Sequence, residues 1–306
     1  MRIALVTPAG PGTRSGNRHT ALRWAAFLRA AGHRVEVRVE WSGEADLMLA
    51  LHARRSHSSI RSFEGPRVVA LTGTDVYRDI HQSAEARESL ELADRLIVLQ
   101  PRAAEELAPR LRKKIGVVVQ SSSTRLRHRP VGRKFRVCVI GHLRAEKDPL
   151  RTLAALFHTE AELDVVHLGA ALDPALVPKT SDPRYRWLGS VPHARALRWL
   201  ASSHAMVISS RMEGGANVVS EAIRIGVPVL ASRISGNLGL LGAGYRGYFP
   251  VGDERGLARL LTRVANDGRL YSALQRQIKK LQPRVTPRAE ARALLAVIRD
   301  AAASRD

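Results

Sequence analysis

Short apolar runs of four or five residues recur along the chain, each bounded by glycine, proline or polar clusters. Between them lie longer stretches whose apolar positions repeat every three or four residues. The first pattern reads as buried strands and the second as amphipathic helices. Strands are predicted at Ile3–Thr7, Val35–Val39, Leu47–Leu51, Val68–Leu71, Leu96–Leu99 and Gly116–Val119, with helices between most of them. The clearest of these helices runs from His19 to Ala31 and is closed by Gly32, a residue that ends helices readily. Alternation of this kind predicts an α/β fold, a parallel sheet with helices on both faces.

Residues 120–134, QSSSTRLRHRPVGRK, are polar, basic and aperiodic, and read as an interdomain linker. A second alternating set follows, with strands at VCVI, Val165–Leu168, Tyr185–Leu188 and Ala205–Ile208. Helices are expected up to Phe157, over His193–Ala201, over Asn217–Ile225 and over Leu260–Leu281. Gly226 and Pro228 stop the third of these. Pro283 and Pro287 bracket a break before a last helix from Arg288 to about Ala303. The expected organisation is two facing Rossmann-like domains, 1–126 and 127–287, with the 288–306 helix packed back on the first. Substrates would occupy the cleft between the halves.

A chain of 306 residues, 45% hydrophobic, can bury two such cores. No apolar run is long enough to span a bilayer, so stable membrane insertion is not expected. Met1 opens a strand-like segment, MRIALVTP, in place of a signal peptide, which points to the cytoplasm. The one cysteine, Cys138, lies inside a strand and reads as a structural thiol.

Charge changes the picture more. Lys and Arg number 49 against 28 Asp and Glu, a formal +21. Such an excess suits nucleic acid, an anionic surface or small anionic substrates. The basic residues are spread over the whole length, aromatics are only 5%, and no zinc-finger or RNA-recognition pattern is present, which weighs against nucleic acid. A basic site for phosphorylated compounds fits better.

In doubly wound sheets ligands bind beyond the carboxyl ends of strands, so the segments just after strands carry the candidate chemistry. The densest is Ile208–Ala231, ISSRMEGGANVVSEAIRIGVPVLA. Amides of Gly214, Gly215, Ala216 and Asn217 open a helix whose positive end favours an anion such as phosphate. Glu213 and Glu221 frame it, and each carboxylate can accept two hydrogen bonds from a vicinal diol. The alternative is that both acids only favour the first half of a helix.

After the first strand, PAGPGTRSGNRHT offers Gly10, Gly12 and Gly16 for a turn, with donors Thr13, Ser15, Asn17 and Arg18. It lacks the G-x-G-x-x-G order, so a nicotinamide site is rejected. After the third strand, His52, Arg54 and Arg55 could bind an anion or position a proton, or simply end a loop. After the fourth, Asp75 is either a base or a turn aspartate. Arg14, Arg18, Arg54 and Arg55 would together concentrate a small anion. No Asp-x-Asp pair follows a strand, so no metal or other cofactor is expected.

The run EGGANVVSEA, followed by GVPVLAS and GNLG, resembles the donor site of the family 4 glycosyltransferases, which have the GT-B fold and the signature Glu, seven residues, Glu. The resemblance implies that Glu213 approaches the donor sugar, Glu221 binds the nucleotide ribose, and amides around Gly215 to Asn217 bind the diphosphate. The family also places an Arg and a Lys in the segment matching GHLRAEKDP. Gly141, Leu143 and Lys147 fit that pattern, but His142 occupies the Arg position and Arg144 stands two places on, so the second diphosphate-binding group is open between them. Ser235, Gly236 and Asn237 resemble the family's later glycine-rich loop, without the acid that usually follows.

In the first half, TPAGPGTRSGNRHTALRW, LHARRSHSSI and TGTDVYRDI look like the selenosugar synthases of selenoneine biosynthesis, a bacterial subgroup. That resemblance implies selenophosphate as acceptor, UDP-N-acetylglucosamine or UDP-glucose as donor, and a selenosugar product. Acceptor contacts would come from Gly12, Thr13, Ser15, Gly16, Asn17, Arg18, Arg54 and Arg55, and catalytic roles would fall to Glu213, Lys147, Arg144, His52 and Asp75. Two other readings stay open: a family 4 enzyme with a carbohydrate or lipid acceptor, and a non-catalytic basic protein that binds nucleic acid or phosphorylated ligands.

Overall fold

The computed structural model describes residues 1–305 apart from Arg14 and Thr180. The chain divides into two compact units, Met1–Gln120 with Pro287–Asp306, and Ser121–Thr286. The first junction falls at Gln120, so residues 121–126, which the sequence reading places in the first domain, belong to the second unit.

In the first unit, strands β1 (Arg2–Val6), β2 (Arg34–Arg38), β3 (Leu47–Leu51), β4 (Arg67–Leu71), β5 (Arg95–Val98) and β6 (Ile115–Val117) form one sheet in the order β2-β1-β3-β4-β5-β6. Every pairing is parallel. β3, LMLAL, is buried along its whole length, as a strand covered on both faces must be, and this is why it reads as an unbroken apolar run. The helix Gly16–Ala30 covers one face with Trp24, Ala25 and Leu28. The last helix, Pro287–Ala302, joins the same core through Leu294, Val297, Ile298 and Ala301. Its Glu290 is buried and accepts from Trp24 Nε1 at 2.7 Å, with Arg23 Nε 2.9 Å away. A buried carboxylate is tolerable only with such partners.

In the second unit, β7 (Phe135–Ile140), β8 (Leu163–Leu168), β9 (Tyr185–Trp187), β10 (Ala205–Ile208), β11 (Val229–Ser232) and β12 (Tyr248–Phe249) run in the order β12-β11-β10-β7-β8-β9, again all parallel. Chain order reverses between β7 and β10 here, and between β1 and β3 in the first unit. These switch points are where open α/β sheets bind ligands, beyond the strands' carboxyl ends.

Three local expectations change, and one short strand is added. The first helix begins at Gly16, not His19, because Ser15 caps it by accepting from the Arg18 amide. The single helix expected over Leu260–Leu281 is two, Glu254–Asn266 and Gly268–Leu281, because Asp267 caps the second through the amides of Arg269 and Leu270. β12 has only two residues, too few to show a period. Residues 121–131 lack regular structure yet are held by the second unit: His128 N donates to Ile225 O, Arg129 N to Ala201 O and Val131 N to Ser202 O. Cys138 is fully buried, and burial pushes its thiol up to about 12. Among the described residues no helix is long and apolar enough to cross a membrane.

Candidate active site

The second unit's switch point brings together the loops after β7 and β10. Lys147 Nζ lies 2.5 Å from Glu213 Oε1, and Ser210 Oγ donates to the same oxygen at 2.6 Å. Glu213 is 8% exposed, so its charge depends on these donors. Ser209 Oγ donates to Asp148 O at 2.8 Å, which fixes the backbone next to Lys147. Asp148 itself has φ 45°, a left-handed conformation rare outside glycine. A buried chain continues behind: Asn237 Nδ2 donates to Ser232 O, and Ser232 Oγ to Ser210 O. Gly236 closes the packing, since a Cβ there would sit 2.1 Å from the Glu213 carbonyl oxygen.

The helix Asn217–Ile225 has no side-chain N-cap and no acid in its first turn. The amides at its start, preceded by Gly214, Gly215 and Ala216, are therefore suited to an anionic ligand. The helix ends at Gly226 with φ 100°, as expected for its C-terminal stop. Glu221, within this helix, meets a residue that sequence reasoning missed: His193 Nε2 lies 2.7 Å from Glu221 Oε1. Nothing in the spacing of the two residues suggests that pair.

The loop after β7 is anchored from β8. His167 Nε2 donates to Gly141 O at 3.0 Å while Nδ1 accepts from Tyr185 Oη at 2.6 Å. Complete burial drives this imidazole down to about 4, so it is neutral near pH 7. A Cβ on Gly169 would fall 1.9 Å from the Gly141 oxygen. His142 Nδ1 accepts from Ala170 N at 3.0 Å, which leaves the hydrogen on Nε2. Burial, and then the charges of Arg144 and Lys147, lower its pKa. His142 is thus a neutral donor. Arg144 is exposed and pairs with Glu146, leaving Lys147 as the cation at Glu213.

In the first unit, the loops after β1 and β3 are neighbours because those strands pair. His52, immediately after β3, has φ 76° and is 3% exposed. Its Nδ1 accepts from Arg55 N at 3.3 Å, and Nε2 lies 3.2 Å from Thr74 Oγ1. Burial lowers its pKa. Both ring nitrogens are engaged within the protein, a geometry that anchors the loop. Asp75 is likewise fully buried and takes the amides of Ala53, Thr72, Gly73 and Val76. That is the turn role that the sequence left open beside a base role.

The carboxylate that does stand among cations here is Asp79, at the end of the π-helical turn Asp75–Asp79. It is 3.1 Å from Arg78 Nε, 3.4 Å from Arg54 Nε and 3.8 Å from His52 Nε2. Such turns are frequent at functional sites; the sequence signal was only a second Asp in TGTDVYRDI. Arg54 is thereby tethered, while Arg55 is exposed. Gly12 takes φ 81° in the turn after β1. Thr13 Oγ1 closes that turn on Gly10 O at 2.8 Å. Ser15 is the helix cap, and Gly16, Asn17 and Arg18 form the first helical turn. The loop is therefore shorter than expected. Arg14, also expected in this basic group, lies outside the described residues.

Residues 182–281 match the family described as Glycosyl transferases group 1. The chain is 26% identical to Glycosyltransferase 1 domain-containing protein 1 of Xenopus tropicalis over 270 residues, 74% of this chain and 77% of that protein. Among solved structures it is similar to Anabaena HepE in complex with UDP and glucose, with TM-score 0.77, 16% identity, and coverage of 98% and 99% of the two chains. It is also similar to sucrose-phosphate synthase from Thermosynechococcus elongatus, with TM-score 0.76, 16% identity and 99% of both chains covered. The chain has the two-domain α/β GT-B fold of these structures, and the family match over residues 182–281 supports a glycosyltransferase.

Proposed function

We propose that this protein transfers a hexose from a UDP-sugar to selenophosphate, forming a carbon–selenium bond. The observation that carries the donor half is the Lys147–Glu213 pair at the β7/β10 switch point, beside an uncapped helix N-terminus. Lys147, the His142 Nε2–H and the amides from Gly214 to Asn217 suit a diphosphate whose charge grows as its bond to the sugar breaks. In this reading Glu213 serves the sugar and Glu221 the ribose diol. HepE has been seen with UDP-glucose, and with UDP and glucose, which supports the same donor class here.

The acceptor half rests on the motifs of the first unit and on its charges. Arg18, Arg54, Arg55 and Arg78 stand on the segments that follow β1, β3 and β4. Charge-assisted contacts from guanidinium to phosphate oxygens are directional and would leave selenium free to attack. Selenium attacks the anomeric carbon, the bond from that carbon to the diphosphate oxygen breaks, and UDP departs with the electron pair. Hydrolysis of the phosphorus–selenium bond then releases phosphate and the selenosugar. Because selenium is already a good nucleophile, no strong base is required, which agrees with the buried settings of His52 and Asp75.

The test is mass spectrometry of products from several UDP-sugars, each with and without selenophosphate. UDP release with a selenium-containing hexose only when selenophosphate is present supports the proposal. Efficient transfer to a saccharide or lipid with indifference to selenophosphate would overturn the acceptor and leave the glycosyltransferase. Arg18→Ala or Arg54→Ala should raise KM for selenophosphate ~10-fold or more and leave UDP-sugar affinity nearly unchanged.

A further inference from the structure

His193 opens the helix His193–Ala201 directly after Pro192, with no side-chain cap and no acid in the first turn. A cationic imidazole at that end opposes the helix dipole, so the helix gains nothing from histidine there. What the side chain does engage is Glu221, across 28 residues of sequence, at 2.7 Å. The His193 side chain is 64% exposed and that of Glu221 14%. Ion pairs with one exposed partner add little stability, so the consequence of this contact is geometric. A glutamate on a helix has three rotatable bonds, and a hydrogen bond to one oxygen selects one of its orientations. The neighbouring carboxylate raises the pKa of His193, which favours its charged, doubly donating form.

We propose that His193 is a positioning residue for nucleotide recognition, holding Glu221 by Oε1 so that Oε2 is presented to the ribose diol of the donor. This deepens the donor reading above and rests on its assignment of Glu221 to the ribose. The residue touches Glu221 and acts through it. Its loss therefore weakens discrimination at the ribose and leaves diphosphate binding by Lys147 and the helix amides intact.

Calorimetric affinities for UDP and for 2′,3′-dideoxy-UDP separate these effects, because only the first carries the diol. The wild type should prefer UDP by about tenfold or more, the range of a hydrogen bond to a charged group. His193→Ala should cut that preference to about threefold or less with dideoxy-UDP binding unchanged, which also shows the variant to be folded. His193→Gln, whose amide can donate to the same oxygen, should restore most of it. If Glu221→Ala abolishes the preference while His193→Ala keeps it whole, His193 has no positioning role and the proposal fails alone. If Glu221→Ala itself retains the preference, the ribose assignment fails and takes the proposal with it.

Discussion

Lys147 Nζ and Glu213 Oε1 stand 2.5 Å apart, joining the loops that leave β7 and β10 at the point where the second sheet reverses its strand order. Lys147→Ala removes the cation and leaves a carboxylate 8% exposed with Ser210 as its remaining side-chain donor. Turnover should fall roughly tenfold to a hundredfold, the range for a lost charged hydrogen bond of ~1.5–3 kcal/mol. Steady-state kinetics with a UDP-sugar, alongside circular dichroism, measures this. Wild-type kinetics in folded Lys147→Ala and Glu213→Ala proteins would show that the site lies elsewhere.

Gly236→Ala tests the packing behind that pair. Its Cβ would meet the Glu213 carbonyl oxygen at 2.1 Å, so the loop must move. Overpacking of this kind costs about 1–3 kcal/mol. Activity should fall along with stability, and a variant with unchanged kcat would show that the position of Glu213 is not critical.

A different part of the fold answers to Glu290, which holds the last helix to Trp24 and Arg23. Glu290→Ala should lower stability by roughly 2–3 kcal/mol, read from urea unfolding of the full chain. Calorimetric UDP affinity should be unchanged, because the residues proposed to bind the donor belong to the other unit.

Acid should loosen the loop after β7 through His167. Its folded pKa of about 4 lies below the ordinary 6.5 of an unfolded histidine. The stabilisation is therefore complete above about pH 6.5 and is lost as pH falls toward 4. At full extent the loss is on the order of 3 kcal/mol. Unfolding midpoints between pH 7 and pH 4 should drop steeply in the wild type and less in His167→Gln. Equal slopes would remove His167 from the acid response.

Transfer should also proceed without a divalent ion, since Lys147 and the helix amides are assigned the diphosphate charge. Activity lost in EDTA and restored by magnesium or manganese would contradict this assignment.

The sequence alone determined the features that are local in the chain. β10 falls on its expected Ala205–Ile208, and the helix Asn217–Ile225 ends at the expected glycine. Apolar runs and a glycine stop act on residues next to one another, so their signals survive without a fold. Lys147 and Glu213 could be named because their motifs are local too. Only the tertiary structure decided which of these segments meet. Tertiary packing brings Lys147 to Glu213 across 66 residues and Trp24 to Glu290 across 266. It also gives Glu221 to His193, turns His52 inward and satisfies Asp75 with four backbone amides. A side chain's type states what it can donate or accept. Which partner it finds depends on strand order and on burial, and those are properties of the whole packed core.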